Sequence, residues 1–396
     1  MPGVSLVGSS GEIITLSFPS GLNATLAQSL ANDISSLVRS GSLLPVDYTG
    51  GSLPSSASNL EVIVKANGPL MLPNQATAVV NTARESVLFG GGAPNETVLS
   101  GSSNLVFFTD GGSGTIVAGG GNNRIMQTGS GPWDILTGPG NDFLFITGGH
   151  NTISAGGGHN TILLAGGNNL VDSTGNDTVQ AITGADTIVA IGNHHVYVEG
   201  VHADLTFIGG GGTATVVGGQ GSETVFASAG GYFRGGTAGH NMIMGGDGAT
   251  TIVGGGNGDT LYATGSAATK IIAGSGHETL DGSLASGNDV LRAGSGSDQL
   301  IGGFGNDTLV AGTGASTMQG GVGHDVFQFT HGDAAKSLIV DFSSMDKVKL
   351  AGYGPGEVQY ALAHEQTTSG GTTITLTDNT KITFANVTSI SKSSFS

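Results

Sequence analysis

The sequence predicts an all-β fold: a parallel β-solenoid, or β-roll, of about 27 nonapeptide half-turns, preceded by a small α/β segment and followed by a β-rich one. Three observations predict it. Glycine supplies 73 of 396 residues, far above its usual share of about 7%. A nine-residue period runs from Thr82 to Gln328. The carboxylates fall at one fixed place in that period.

The period is clearest in Gly302-Gly303-Phe304-Gly305-Asn306-Asp307-Thr308-Leu309-Val310, which reads G-G-x-G-x-D-x-U-x with U a large aliphatic residue. Leu284 to Gln328 holds five such units without a gap. Position six is Asp289, Asp298, Asp307, Ser316 and Asp325, and position eight is Leu291, Leu300, Leu309, Met318 and Phe327. The frame extends back through Leu261, Ile252, Ile243, Val225, Val216, Ile162, Ile153, Leu144, Ile125, Ile116 and Phe107 to Val98 and Phe89. Single-residue slips fall near Gln127, Val171, Glu199 and Ala263, and Gly282-Ser283 is a two-residue insertion. A fixed period of this kind marks a repeat architecture.

Each unit reads as a glycine turn and a very short strand. Some turn positions need φ > 0, which glycine adopts at little cost. In a strand alternate side chains face opposite ways. Position eight therefore points inward, and positions seven and nine point out. Two units close one coil, so residues on one side stack about 18 apart. At roughly 4.8 Å per coil the array would measure roughly 60–65 Å.

The charge pattern points to a metal. Twelve Lys+Arg stand against 29 Asp+Glu, a net charge of −17. That balance argues against nucleic acid and anionic membranes as partners. No apolar run reaches the roughly 18 residues of a membrane span. Cysteine is absent, which removes disulfides and thiol chemistry. An 18-residue stack places Asp289 over Asp307, Asp307 over Asp325, and Asp186 near Asp204. Stacked carboxylates repel unless a cation lies between them. Carboxylates and turn carbonyls are hard oxygen ligands, which suit Ca²⁺. The bland alternative is that these residues merely cap turns.

The motif resembles the repeats-in-toxin (RTX) nonapeptide family, over residues 82–328. The resemblance implies a calcium-loaded β-roll. Carried over by position, the implied ligands are Asp142, Asp177, Asp186, Glu223, Asp259, Glu278, Asp289, Asp298, Asp307 and Asp325. Asn123, Asn151, Asn160, Asn169 and Asn241 hold position six elsewhere. Full calcium rows are expected near the C-terminus, and dry, amide-linked loops around residues 100–172. Six histidines precede position six (His150, His159, His194, His240, His277, His324); they read as exposed turn residues, with zinc as the sharper alternative.

Residues 1–81 read as an N-terminal cap or assembly domain. Glu12–Phe18 and Glu61–Lys65 look like strands, and Leu22, Leu26, Leu30, Ile34 and Leu37 follow helical spacing, with Asn23 or Thr25 as cap. Residues 329–396 carry strand signals at Ser337–Phe342, Lys347–Leu350, Thr372–Thr377 and Lys381–Phe384. They look like the C-terminal domain that follows RTX arrays, which in that family carries an uncleaved signal for type I export. The start, Met1-Pro2-Gly3-Val4, lacks the basic and apolar stretches of a secretory leader. The chain is therefore expected outside the cell or on its surface, folding when it meets extracellular calcium.

No H-E-x-x-H, G-x-S-x-G or phosphate loop occurs. The expectation is a non-enzymatic structural protein that self-assembles through its solenoid ends into a filament, sheath, surface layer or biofilm matrix. An adhesin or ligand-binding module, for a glycan or ice, is the alternative, with cell-surface polysaccharide as a partner; the non-catalytic carrier of an enzyme family is a further one.

Overall fold

The computed structural model describes residues 3–396 except 57, 91, 257 and 334. The chain divides into two units, Met1–Val198 and Glu199–Ser396. Each is a parallel β-solenoid, as the period predicts.

In the first unit the coil strands form two parallel ladders. The inward residues stack in register: Val98, Ile116, Ile135, Ile153, Val171 and Ile188 in one, and Leu88, Phe107, Ile125, Leu144, Ile162 and Val179 in the other. All are fully buried. The inward place expected of Phe89 falls to Leu88, and Phe89 itself is half-buried, because the coil that follows is one residue longer than the frame. Coil pairing already begins at Leu44–Tyr48, which pairs in parallel with Leu60–Val64, and that strand with Ala76–Asn81. This is well before Thr82. Those strands keep the inward alternation but lack the G-G-x-G turn, so the nonapeptide frame misses them.

The segment before the coils lies on their flank. An antiparallel hairpin, β1 (Gly3–Val7) and β2 (Ile13–Ser17), leads into helix α1 (Leu22–Arg39). Five position-nine residues, Ile63, Val80, Leu99, Val117 and Leu136, join the core formed by the hairpin and helix. They come from five strands of one ladder. An 18-residue helix is about 27 Å long, which matches the roughly 24 Å of five coils. At one end Asn23 Nδ2 donates to Thr137 O at 2.9 Å. Gly101 lies where β2 crosses, and a Cβ there would press on the Ser17 backbone.

Two expectations for α1 need correction. Neither Asn23 nor Thr25 caps it. Its N-cap is Gly21, at φ 121°, with no side-chain cap. The buried face holds Ala24, Ala27, Ala31, Ile34 and Ser35, while Leu22 and Leu37 are exposed. The alanines let the helix approach the sheet closely, which a face of leucines would prevent.

The second unit repeats the two ladders. One stacks Phe207, Val225, Ile243, Leu261, Leu280, Leu300, Met318 and Ile339. The other stacks Val216, Phe233, Ile252, Ile271, Leu291, Leu309, Phe327 and Val348. The coils thus run past Gln328, through Lys336–Ile339 and Lys347–Ala351. The Gly282-Ser283 insertion is absorbed by a long strand, Thr279–Ala285.

The first edge of the first unit and the last edge of the second are treated by different means. Leu44 N donates to Asn59 O and Gly68 N to Glu85 O, so both residues face inward along the stack. Hydrogen-bonding direction alternates along a strand, so Pro45 and Pro69 face the outer edge, where proline offers no N–H. In the second unit Lys381–Ala385 pairs in parallel with Lys336–Ile339, and Phe395 bridges Val348.

Candidate metal centre

Position six starts each strand, at the corner where the glycine turn ends. The turn brings successive backbones too close for side chains. A Cβ on Gly305 (φ 128°) would collide with Gly287 O. The position-six side chain folds inward at this corner and is buried. Four corner columns result, two in each unit.

In the second unit one column is Asp289, Asp307, Asp325 and Asp346. Each Oδ1 accepts the backbone N–H of the residue one coil earlier: Thr269 to Asp289 at 2.7 Å, Asp289 to Asp307 at 2.8 Å, Asp307 to Asp325 at 2.9 Å and Asp325 to Asp346 at 3.0 Å. The other column runs Glu223, Asn241, Asp259, Glu278 and Asp298, with the same bonds onto Asn241, Asp259 and Asp298.

The first unit builds its columns from mixed residues: Asn123, Asp142, Asn160 and Asp177 at one corner, and Asn151, Asn169 and Asp186 at the other. The backbone bonds recur. Here each Asn adds a second link, donating Nδ2 to the oxygen one coil on. Asn123 reaches Asp142 at 2.9 Å; Asn160 reaches Asp177, Asn151 reaches Asn169, and Asn169 reaches Asp186, each at 2.8 Å. The same amides also reach carbonyls of their own turns, such as Gly156 O and Gly148 O.

The ten residues expected as ligands divide in two. In Asp142, Asp186, Asp289, Asp307 and Asp325 the Oδ2 atom is buried without a hydrogen-bond partner; the same holds for Glu223 Oε1 and both Glu278 oxygens. In the other three the second oxygen is taken. Asp177 Oδ2 accepts from Ser173 Oγ at 2.6 Å, Asp259 Oδ2 from Gly255 N at 2.7 Å, and Asp298 Oδ2 from Gly294 N at 2.7 Å. Asp204, expected near Asp186, instead occupies position five and accepts Ser222 N.

An orphaned buried carboxylate oxygen is costly unless a cation meets it. Burial pushes Asp186 up to about 6, Glu223 and Asp307 to about 7, and Glu278 to about 8. Neighbouring Asp289 and Asp325 add to the rise at Asp307, and Asp298 to that at Glu278. Burial also raises Asp142, Asp289 and Asp325. A divalent ion at these corners favours the charged form and reverses the trend. The donors are all oxygen: one or two carboxylates beside a row of turn carbonyls. That set fits Ca²⁺, which takes six to eight oxygens in flexible geometry. No group of three or more His, Asp or Glu is placed to share an ion among the described residues. The six turn histidines are exposed.

Two corner residues lie outside the sequence-derived set. Asp346 is buried and continues the aspartate column, but its coil is 21 residues long and breaks the frame. Glu96 is fully buried with both oxygens unpartnered, and burial pushes it to about 8. Its signal was present, two residues before Val98. Position five adds a second ladder, in which Asn104, Asn122, Asn141 and Asn306 accept N–H groups from the next coil.

The model of the RTX calcium-binding nonapeptide repeat (4 copies) matches residues 136–171 and 164–190 in the first unit, and 272–309, 285–318 and 301–328 in the second. No curated protein matches the chain. With the repeat model matched in both units and the corners lined by buried oxygen donors, the chain carries RTX calcium-binding nonapeptide repeats, and Ca²⁺ is the cation of such repeats.

Proposed function

We propose that the chain is a non-catalytic extracellular structural protein that closes its coils on calcium and self-associates, as a filament, sheath, surface layer or biofilm matrix. The observation that carries this is the row of orphaned carboxylate oxygens in successive coils at Asp289, Asp307 and Asp325. Cations between the coils would offset the cost of burying such a row. RTX repeat proteins are typically secreted, and no helix among the described residues is long and apolar enough to cross a membrane. Residues 329–396 are proposed to carry the export signal.

The route of association departs from the end-to-end stacking that the repeat alone suggests. Pro45 and Pro69 blunt the first edge of the first unit, and in the second unit the ladder turns antiparallel through Lys381–Ala385 and Gly371–Thr375 to the short polar strand Gln366–Thr368. The flanks are the better candidates. Leu284, Phe304 and Val322, from three successive strands, are 66%, 57% and 63% exposed. Exposed apolar ladders of this kind mark contact surfaces. Negative-stain electron microscopy in millimolar calcium and then in EDTA tests the reading. Assemblies that form in calcium, vanish with chelator and fail to form in Phe304→Asp/Val322→Asp support it. Calcium-folded monomers at every concentration would overturn it.

A further inference from the structure

We infer that the second unit carries a binding cleft for a carboxylated sugar, on the side of its coils where the corner column changes from carboxylates to hydroxyls. The proposal rests on the extracellular reading above, but not on self-association.

The cleft has a volume of about 720 Å³. Its wall changes character along the stack. Glu278 and Asp298 give way to Ser316 and then Ser337, which are register partners in adjacent strands. Both serines are over nine-tenths buried, line the cleft, and have hydroxyls without a hydrogen-bond partner. Beside them Lys336 and Lys381, also register partners, present two ammonium groups to the same space. The chain has only 12 basic residues against 29 acidic ones. Neither lysine forms an ion pair among the described residues, where Lys65 supplies the ion pairs that exist. Two adjacent, uncompensated cations in so acidic a protein make a local anion site.

The floor decides which anion. It is the outward face of the ladder, with Gln299 and Thr317 in register and Thr383 beyond Leu338. These groups donate and accept at intervals of about 4.8 Å. Such spacing suits the hydroxyls of successive pyranose rings. A long polyanion such as nucleic acid would be repelled by the surrounding net charge of −17. A sugar bearing one carboxylate per molecule places its charge on the lysine pair and its hydroxyls on the floor.

The test is isothermal titration of the calcium-folded full chain with sialyllactose and with a glucuronyl-glucose disaccharide, against lactose and cellobiose as neutral controls. Saturable one-site binding of at least one acidic sugar is expected, with the neutral sugars at least about tenfold weaker. Lys336→Ala/Lys381→Ala should weaken binding by about tenfold or more, while Lys336→Arg/Lys381→Arg retains it. Ser337→Ala should weaken it several-fold. Circular dichroism in calcium confirms that each variant is folded. Absence of saturable binding by both acidic sugars, equal binding by the double-alanine variant, or equally tight binding of a tetraglutamate peptide would overturn the proposal. Assembly is read separately by microscopy, so failure of either reading leaves the other standing.

Discussion

The two units solve one problem with different chemistry. Every coil of a narrow solenoid must be tied to the next at its corners. In the first unit Asn160 and Asn169 tie coils with amide hydrogen bonds to Asp177 and Asp186, and orphaned oxygens are left at Asp142 and Asp186. In the second unit Asp289, Asp307 and Asp325 follow one another, each with one oxygen on a backbone N–H and one buried without a partner. A neutral amide is both donor and acceptor, whereas a carboxylate only accepts. Each Asn therefore supplies a coil-to-coil link that Asp cannot, while a column of Asp alone leaves one buried oxygen per coil to meet a cation or a proton. The first unit also has α1 clamped across five coils.

Calcium removal should break this comparison most sharply. An occupied site contributes about 2.7 kcal/mol at a hundredfold excess of free ion. Two or three sites in one column then contribute about 5–8 kcal/mol. In EDTA, hydrogen exchange should show coils of residues 289–346 losing protection while those of residues 114–190 keep it. The single tryptophan, Trp133, is buried in the first unit and should keep its folded emission. Equal loss in both units would end the distinction.

Asn160→Asp should convert one corner of the first unit to the second unit's type. It removes the amide bonds to Asp177 Oδ1 and Gly156 O and leaves stacked carboxylates. We expect a loss of about 3 kcal/mol in EDTA, largely restored by millimolar calcium. Urea melts with and without calcium would measure it.

Glu61 sharpens the comparison through pH. It is fully buried near Asp47, and burial raises it from 4.5 to about 7. The folded state then holds more protons than the unfolded one between those values. The contribution of Glu61 to the stability of the first unit should therefore fall as pH rises from about 4.5 through 7 and level off above, while Glu96, raised to about 8, extends the decline. Glu61→Gln should reduce this slope and stabilise the unit at pH 8 by about 2–3 kcal/mol, read from melts followed by Trp133 fluorescence. The smallest effect is expected from Asn23→Ala. It loses one hydrogen bond from α1 to Thr137 O, worth about 1 kcal/mol.

Much of this was legible because the repeat is local. The alternation that buries Leu309 and turns the half-buried Thr308 outward follows from strand geometry within one unit, and so does the inward corner at Asp307. Glu96 and the position-five asparagines obey the same frame and were readable. The early coils from Leu44 were not, since they lack the glycine turn. The α1 face was misread because leucines mark apolar spacing, whereas close packing on a sheet selected Ala24, Ala27 and Ala31. One signal for the clamp does exist in the sequence: apolar position-nine residues at 63, 80, 99, 117 and 136, on a face that should be polar.

By itself the sequence determined the period, the inward residues, the glycine turns and the corner column of carboxylates and amides. Those depend on φ preference and side-chain alternation over a few residues. Tertiary structure decided which carboxylates keep an unpartnered oxygen, which outer stripe is covered, and how the first edge of the first unit and the last edge of the second are treated. Each of these depends on the residue one coil away, and coil lengths vary between 17 and 21 residues. A slip of one residue changes that neighbour, so only the folded coils separate Asp177, satisfied by Ser173, from Asp307, whose buried oxygen has no protein partner.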